Sequence, residues 1–221
     1  MFKKVLIAED ADFMSSGIKS ILEKLNIPTI EYAKYCDEAF LKIKKAWLDN
    51  NPFDLLISDL SFVDNPNPQR LYTGEDLISE VKKLQPELKT IIFSVEDKPY
   101  RIKHLCNELL VDAYVWKSVH GARELESAIQ YVFNNTFFIS PSLSQYLKQK
   151  EAFEITDYDV LLLELLASGF EQKEISIALK NKKVKPCSIS SVEKRLKLLR
   201  ENFNANNPTQ LIAITKDFGL I

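Results

Sequence analysis

A chain of 221 residues with 46% hydrophobic content and a net charge of −2 has room for one large domain or two modest ones, and it is not disordered as a whole. Its apolar runs are strand-sized, far short of a membrane span. The run after Met1-Phe2-Lys3-Lys4 is too brief for a secretion signal, so the expected location is the cytoplasm, with no membrane contact. Cys36, Cys106 and Cys187 are far apart with no CxxC pair, and His104 and His120 are the only histidines; neither a disulfide framework, a zinc site nor a Ser-His hydrolase is indicated.

In chain order, strand-like runs at 4–8, 29–33, 54–58, 89–94 and 112–116 alternate with helix-like stretches, the pattern of a parallel sheet covered by helices on both faces. Strands 1, 3 and 4 are continuously apolar, as burial on both faces requires. The first ends in Glu9-Asp10. A helix follows, with Met14, Ile18, Ile21, Leu22 and Leu25 on one stripe, Asp12 as its expected N-cap and Asn26-Ile27-Pro28 as its end. A second helix at about 37–49 directs Ala39, Phe40, Ile43 and Trp47 inward. The third strand ends at Asp59, and a helix at about 74–84 carries Leu77, Ile78, Val81 and Leu84. The fourth strand closes in Ser94 and the fifth in Lys117, before a helix at about 121–133.

Residues 136–153 read as a linker with some helical character. The remaining 154–221 stretch is too small to carry much core alone, which suits a compact helical module. Its first helix starts at Thr156 and ends at Gly169, with Val160, Leu161, Leu163, Leu165 and Leu166 as apolar positions. The second runs from Glu171 to Lys180. The third begins at Ser188 or Ser190 and continues through Val192, Leu196, Leu199 and Phe203; the fourth opens at Pro208. Between 173 and 200, Lys173, Lys180, Lys182, Lys183, Lys185, Lys194, Arg195, Lys197 and Arg200 face only Glu174 and Glu193. A polyanion would feel this local excess despite the acidic total.

In an open sheet of strand order 2-1-3-4-5, ligands bind beyond the carboxyl ends of strands 1 and 3. Glu9, Asp10 and Asp59 stand at those two ends. Such acids suit Mg²⁺, which prefers carboxylate and carbonyl oxygens, and one carboxylate can serve as nucleophile toward phosphorus once charge repulsion is neutralised. Lys117 adds positive charge and the Ser94 hydroxyl can bond a phosphoryl oxygen.

This ordered set of acid pair, lone Asp, hydroxyl and Lys resembles the phospho-acceptor receiver domain of bacterial response regulators over residues 1–135. The resemblance implies Asp59 as phospho-acceptor and Mg²⁺ held by Glu9, Asp10, Asp59 and the Ser61 carbonyl. It also implies Ser94 and Tyr114 as a switch pair, with Ser61 and Glu96 flanking the site. In the second module, Ile155-Thr156, Glu164-Leu165-Leu166-Ala167-Ser168-Gly169-Phe170, Lys173-Glu174-Ile175, Ser190-Ser191-Val192 and Thr209-Gln210-Leu211 resemble the LuxR-type helix-turn-helix. The pairing is that of the NarL/FixJ class. It implies a third helix in the DNA major groove, with Lys173 on phosphate and Ser191, Lys194, Arg195 and Lys197 facing the groove. A sensor histidine kinase or phosphotransfer protein, promoter DNA and a second copy of the chain are the implied partners. The expected protein is a transcription factor, not an enzyme.

Two departures from the family stand out. The loop after Asp59 is several residues longer than usual, reaching its first glycine only at Gly74, with Val63 where proline is common. The turn between second and third helices is lengthened by Lys180–Cys187, whose Lys182, Lys183 and Lys185 are further candidates for DNA contact, and Glu193 replaces a usual lysine. These departures leave open an alternative: a phosphoryl-accepting adaptor that binds protein, or a partner-driven regulator independent of phosphorylation.

Overall fold

A computed structural model describes residues 1–63, 68–148 and 155–221. It divides into two compact units, the first holding Met1–Asp97 and Ile102–Gln145, the second Lys98–Arg101 and Tyr146–Ile221. Among the described residues no helix is long and apolar enough to cross a membrane.

Five β/α repeats come first: β1 (Lys4–Ala8), α1 (Asp12–Lys24), β2 (Thr29–Ala33), α2 (Cys36–Leu48), β3 (Leu55–Ser58), α3 (Gly74–Leu84), β4 (Lys89–Ser94), α4 (Pro99–Leu109), β5 (Ala113–Trp116) and α5 (Gly121–Phe133). Then come β6 (Phe138–Ile139) and α6 (Pro141–Lys148). All pairings are parallel, in the order β2-β1-β3-β4-β5-β6. Alternate side chains of each strand serve opposite faces. Leu6, Leu56, Ile92 and Tyr114 join the core under α2, α3 and α4, while Val5, Ile7, Leu55, Ile57, Phe93 and Val115 join the core under α1 and α5. With both faces covered, the strands read as continuous apolar runs.

The expected five-stranded sheet is extended by β6, inside the stretch read as a linker. Phe138 and Ile139 pair with Ala113 and Tyr114, and the Phe138 ring meets Tyr131 edge-on at 5.4 Å. Ser140, fully buried, completes the attachment. Its amide donates to the Tyr114 carbonyl at 3.0 Å, and its hydroxyl accepts from the Trp116 amide at 2.9 Å while donating to Glu124 on α5. Leu143 of α6 is buried in the same core as Tyr114. The rest of the expected linker, 149–153, lies outside the described residues.

Two finer expectations are corrected. Ala11, not Asp12, occupies the N-cap of α1, and Asp12 is the first helical residue. On α2 the inward stripe is Cys36, Ala39, Ile43 and Ala46; Trp47, one position beyond it, is 45% exposed.

The helical unit comprises α7 (Asp157–Ala167), α8 (Gln172–Asn181), α9 (Ile189–Asn202) and α10 (Pro208–Asp217). Leu162, Leu163, Ile175, Leu179, Val192, Leu196, Leu199 and Leu211 form its centre. Leu162, absent from the expected apolar positions, is fully buried. Ser188 is the N-cap of α9, accepting from the Ser191 amide at 3.2 Å, and Asn207 caps α10, with Pro208 in the first turn.

One buried carboxylate ties the first helix of this unit to the third. Asp159, with no exposed surface, accepts from the amide and hydroxyl of Thr156, both at 2.8 Å, and from Arg195 Nε and Nη2 at 2.5 and 2.6 Å. Burial alone would raise the Asp159 carboxyl, but its bonds to Arg195 and Thr156 outweigh that and hold it below the usual carboxylate range. Replacing Asp159 with Ala removes the carboxylate from this buried pair and should cost about 3 kcal/mol of unfolding free energy at neutral pH. Because the folded-state pKa is depressed, this stabilisation is present above the unfolded value of about 3.9 and is lost as pH falls through the folded value. Urea midpoints of wild type and variant should therefore be well separated at pH 7 and draw together below about pH 4; a constant gap across that range counts against the ion pair.

Candidate functional site

The carboxyl ends of β1 and β3 are neighbours in register, Ala8 opposite Ser58, which brings Glu9 and Asp59 together. Both are nearly buried, at 4% and 8% exposure. Lys117, just beyond β5, places Nζ 2.7 Å from Glu9 Oε2 and 2.6 Å from Asp59 Oδ2. The other Asp59 oxygen accepts from the Leu60 amide at 2.6 Å. The backbone of Asp59 is fixed as well: its amide donates to the Ala8 carbonyl at 3.0 Å, and its carbonyl accepts from the Ser58 hydroxyl at 2.7 Å. Side chain and backbone of Asp59 are thus both held in place.

Electrostatics at this cluster favour more positive charge than it has. Burial raises the Glu9 carboxyl above its ordinary value; Lys117 pulls it back by hydrogen bond and charge, and Asp59 pushes it further up. Three acids, Glu9, Asp10 and Asp59, stand here with one lysine. Asp10 is engaged elsewhere, accepting from the Val63 amide at 2.6 Å. Among the described residues no three acids, histidines or cysteines are spaced to hold a metal ion, yet the donor chemistry, hard carboxylate oxygens in excess over cations, fits a divalent cation. Ser61, two residues after Asp59, is exposed.

Ser94, at the end of β4, is buried behind the cluster, and its carbonyl accepts from the Lys117 amide at 2.7 Å. Tyr114 is fully buried and donates its hydroxyl to the Glu96 carbonyl at 2.9 Å. Burial pushes its phenol far above the ordinary range, so it remains a neutral donor. The ring stands inward, beneath the β4–α4 connection.

The loop from β3 to α3 is secured at both described ends. Leu60 and Leu71 are buried. Asp37, in the first turn of α2, accepts from the amides of Arg70 and Leu71 at 2.8 and 3.3 Å, and the Arg70 guanidinium pairs with Glu80 on α3. The expected effect of the Asn65-Pro66 and Asn67-Pro68 steps rests on residues 64–67, which lie outside the described residues.

In the helical unit, Lys173, Lys194 and Lys197 are exposed, as are Lys182, Lys183 and Lys185. Ser191 is half-buried, its hydroxyl 2.7 Å from that of Ser188. Arg195 departs from expectation: its guanidinium turns to Asp159 and not toward the outer face of α9. Glu193 is exposed on α9, where its charge would repel a phosphate.

No family model matches the sequence. The chain is 23% identical to the transcriptional regulatory protein ComA of Bacillus subtilis, over 99% of this chain and 100% of that one. It is 25% identical to the response regulator GacA of Pseudomonas aeruginosa, over 80% of this chain and 73% of that one. Among solved structures it resembles the RcsB response regulator of Salmonella typhimurium, with a TM-score of 0.66 at 22% identity, covering 97% of this chain and 99% of that one. An RcsB–DNA complex gives a TM-score of 0.63 at 21% identity, covering 97% of this chain and 98% of that one. The chain shares the fold of these response regulators, a parallel β/α unit followed by a helical unit.

Within its receiver, Gly74 has a role that its place in the sequence only hinted at. Thr73 caps α3, accepting from the Asp76 amide at 3.1 Å, and the Gly74 amide donates to the Leu60 carbonyl at 2.9 Å. A Cβ on Gly74 would stand 1.9 Å from the Asp59 carbonyl oxygen. The helix N-terminus therefore lies directly against the Asp59 backbone, a distance that only glycine permits. A glycine opening a helix after a long loop is the signal; the contact itself needed the fold.

Proposed function

We infer that this protein is a two-component response regulator in which a phosphoryl group on Asp59 controls binding of the helical unit to promoter DNA. The observation that carries the reading is the buried Asp59 carboxylate, bridged to Glu9 by the Lys117 ammonium and fixed by backbone bonds at the carboxyl end of a parallel sheet. The phosphoryl donor is a sensor histidine kinase or a phosphotransfer protein. An Asp59 carboxylate oxygen attacks phosphorus, the phosphorus–nitrogen bond of the donor phosphohistidine breaks, and its electron pair returns to the imidazole. Lys117 exchanges part of its contact with Asp59 for a phosphoryl oxygen and balances its charge. Glu9, Asp10, Asp59 and the Ser61 carbonyl would hold a divalent cation such as Mg²⁺, which would supply the remaining neutralisation.

Ser94 lies on the strand next to Asp59 and its hydroxyl can follow a phosphoryl oxygen. Tyr114, below it, is the group that such a movement disturbs. The helical unit presents Lys173 to phosphate and Lys194 and Lys197 along α9 to the groove, and two copies of the chain bind a twofold-related DNA site. Arg195 is held by Asp159, so in this reading it fixes α9 in place and does not read bases.

Selection of bound duplexes from a random DNA pool, with and without beryllofluoride and Mg²⁺, tests the reading. A motif enriched only with the phosphoryl mimic is the expected result. Enrichment regardless of the mimic would mean partner-driven control. An absence of enrichment favours the protein-binding adaptor, for which the exposed Glu193 and the inward Arg195 are the supporting observations.

A further inference from the structure

The lengthened turn between α8 and α9 is anchored with more bonds than a solvated loop needs. At its start, the Lys183 amide donates to the Lys180 carbonyl and the Val184 amide to the Leu179 carbonyl, both at 3.0 Å, the paired bonds of a helix-terminating Schellman motif. The residue this motif places in the left-handed region is Lys183, at φ +57°, where glycine or asparagine fits at less cost. At its far end, the Tyr158 hydroxyl donates to the Pro186 carbonyl at 2.7 Å, and the buried Ser176 hydroxyl donates to the Cys187 carbonyl at 2.6 Å. Val184 and Cys187 pack against the helical core, which leaves Lys182, Lys183 and Lys185 pointing outward.

These lysines are not spent on the protein. Among the described residues, no ion pair engages Lys182, Lys183, Lys185 or Lys194, although Lys197 and Arg195 each have an acidic partner. Lys185 and Lys194 also line one cleft of about 490 Å³, together with Thr156, Tyr158, Ser191 and the Asp159-paired Arg195. That volume is many times the ~30 Å³ share of one water molecule. The two ammonium groups suit a phosphodiester, as charge and as donors for its oxygens. The Tyr158 and Thr156 hydroxyls are committed to Pro186 and Asp159 and shape the wall.

We propose that 182–187 is a preorganised basic arm that grips the DNA backbone beside the groove entered by α9, with one phosphate seated between Lys185 and Lys194. The proposal rests on the DNA-binding reading above and adds to it a second backbone contact, fixed to the fold through Tyr158 and Ser176. Fixing the backbone of the arm before binding removes the cost of ordering that segment on the duplex. Its contribution is independent of base sequence, because phosphate contacts position a protein without specifying bases.

The test uses the full chain on its selected duplex, with affinity measured as a function of salt. Replacing Lys182, Lys183 and Lys185 together with Gln should reduce the log–log salt slope by roughly 2 to 3 in magnitude, about 0.9 for each phosphate no longer neutralised, while the preferred motif stays the same. Tyr158→Phe keeps every charge and removes one hydroxyl, so it should weaken binding by about five-fold at fixed salt, the loss of one hydrogen bond, with the slope retained. A wild-type slope in the triple variant overturns the arm as a DNA contact. Wild-type affinity in Tyr158→Phe overturns its preorganisation. A wild-type chain that binds no duplex at low salt removes the DNA-binding reading itself, a separate and recognisable result.

Discussion

Replacing Asp59 with Asn should reduce phosphoryl incorporation, from kinase or from a small acyl phosphate, to background. Asparagine keeps the shape of the side chain and can still accept from the Leu60 amide, but its amide is no nucleophile toward phosphorus. Stability should change little, within about 1 kcal/mol, since Lys117 keeps its contact with Glu9 and one of two facing carboxylates is gone. The companion variant Lys117→Ala separates charge from nucleophile. It leaves Glu9 and Asp59 facing each other without a cation, two buried acids that cannot both ionise cheaply. The Glu9 carboxyl, already raised by burial, then rises further. A raised folded-state pKa gives stability below the unfolded value that is lost as pH climbs through the folded one, so this variant should be most stable in acid and weaken toward neutrality. Full incorporation in Asp59→Asn would remove Asp59 from the acceptor role; an unchanged pH profile in Lys117→Ala would remove the ion pair from the stability argument.

Gly74→Ala should be nearly as damaging to the chemistry, although residue 74 carries no reactive group. The added methyl would meet the Asp59 carbonyl oxygen at 1.9 Å, its carbonyl carbon at 2.9 Å and the Leu60 Cα at 3.0 Å. All three are backbone atoms of a segment that also bonds to β1, so no rotamer change can relieve the clash. The junction of β3 and α3 has to move. Overpacking of this kind costs about 3 kcal/mol, and it acts on the residue whose position decides reaction geometry. The expected result is a lowered denaturant midpoint for the receiver together with a large loss of phosphoryl incorporation. A variant with wild-type midpoint and wild-type incorporation would show that the helix N-terminus is not what holds Asp59.

Much of this arrangement can be read from the chain because burial leaves a strong local trace. Strands covered on both faces must be apolar throughout, so Glu9, Asp59, Ser94 and Lys117 stand out where those runs stop. What stays hidden depends on partners distant in sequence. Arg195 sits on α9 in a position suited to the groove, and nothing nearby shows that Asp159, in another helix, claims it. Asp10 belongs to the acid pair by sequence but accepts from the Val63 amide in the loop after β3. Trp47 reads as a core aromatic by size, yet the helix phase set by Cys36, Ala39 and Ile43 continues to Ala46. Phe138-Ile139 is too short to show any period, and it becomes a strand only because β5 offers it a row of unpaired peptide groups.

That last pairing decides where the receiver can be divided from the rest of the chain. A fragment ending at residue 135 keeps all five helices and all the acids, but strips β6 from β5 and bares the backbone of Ala113–Trp116 along a sheet edge. Unprotected edges invite pairing with any available strand, including the same edge of another fragment. Self-association seen in such a fragment would reflect the cut and not the regulator. A boundary beyond Leu143 keeps β5 covered by β6 as in the full chain, and only then does a change in oligomeric state on phosphorylation report on the native molecule.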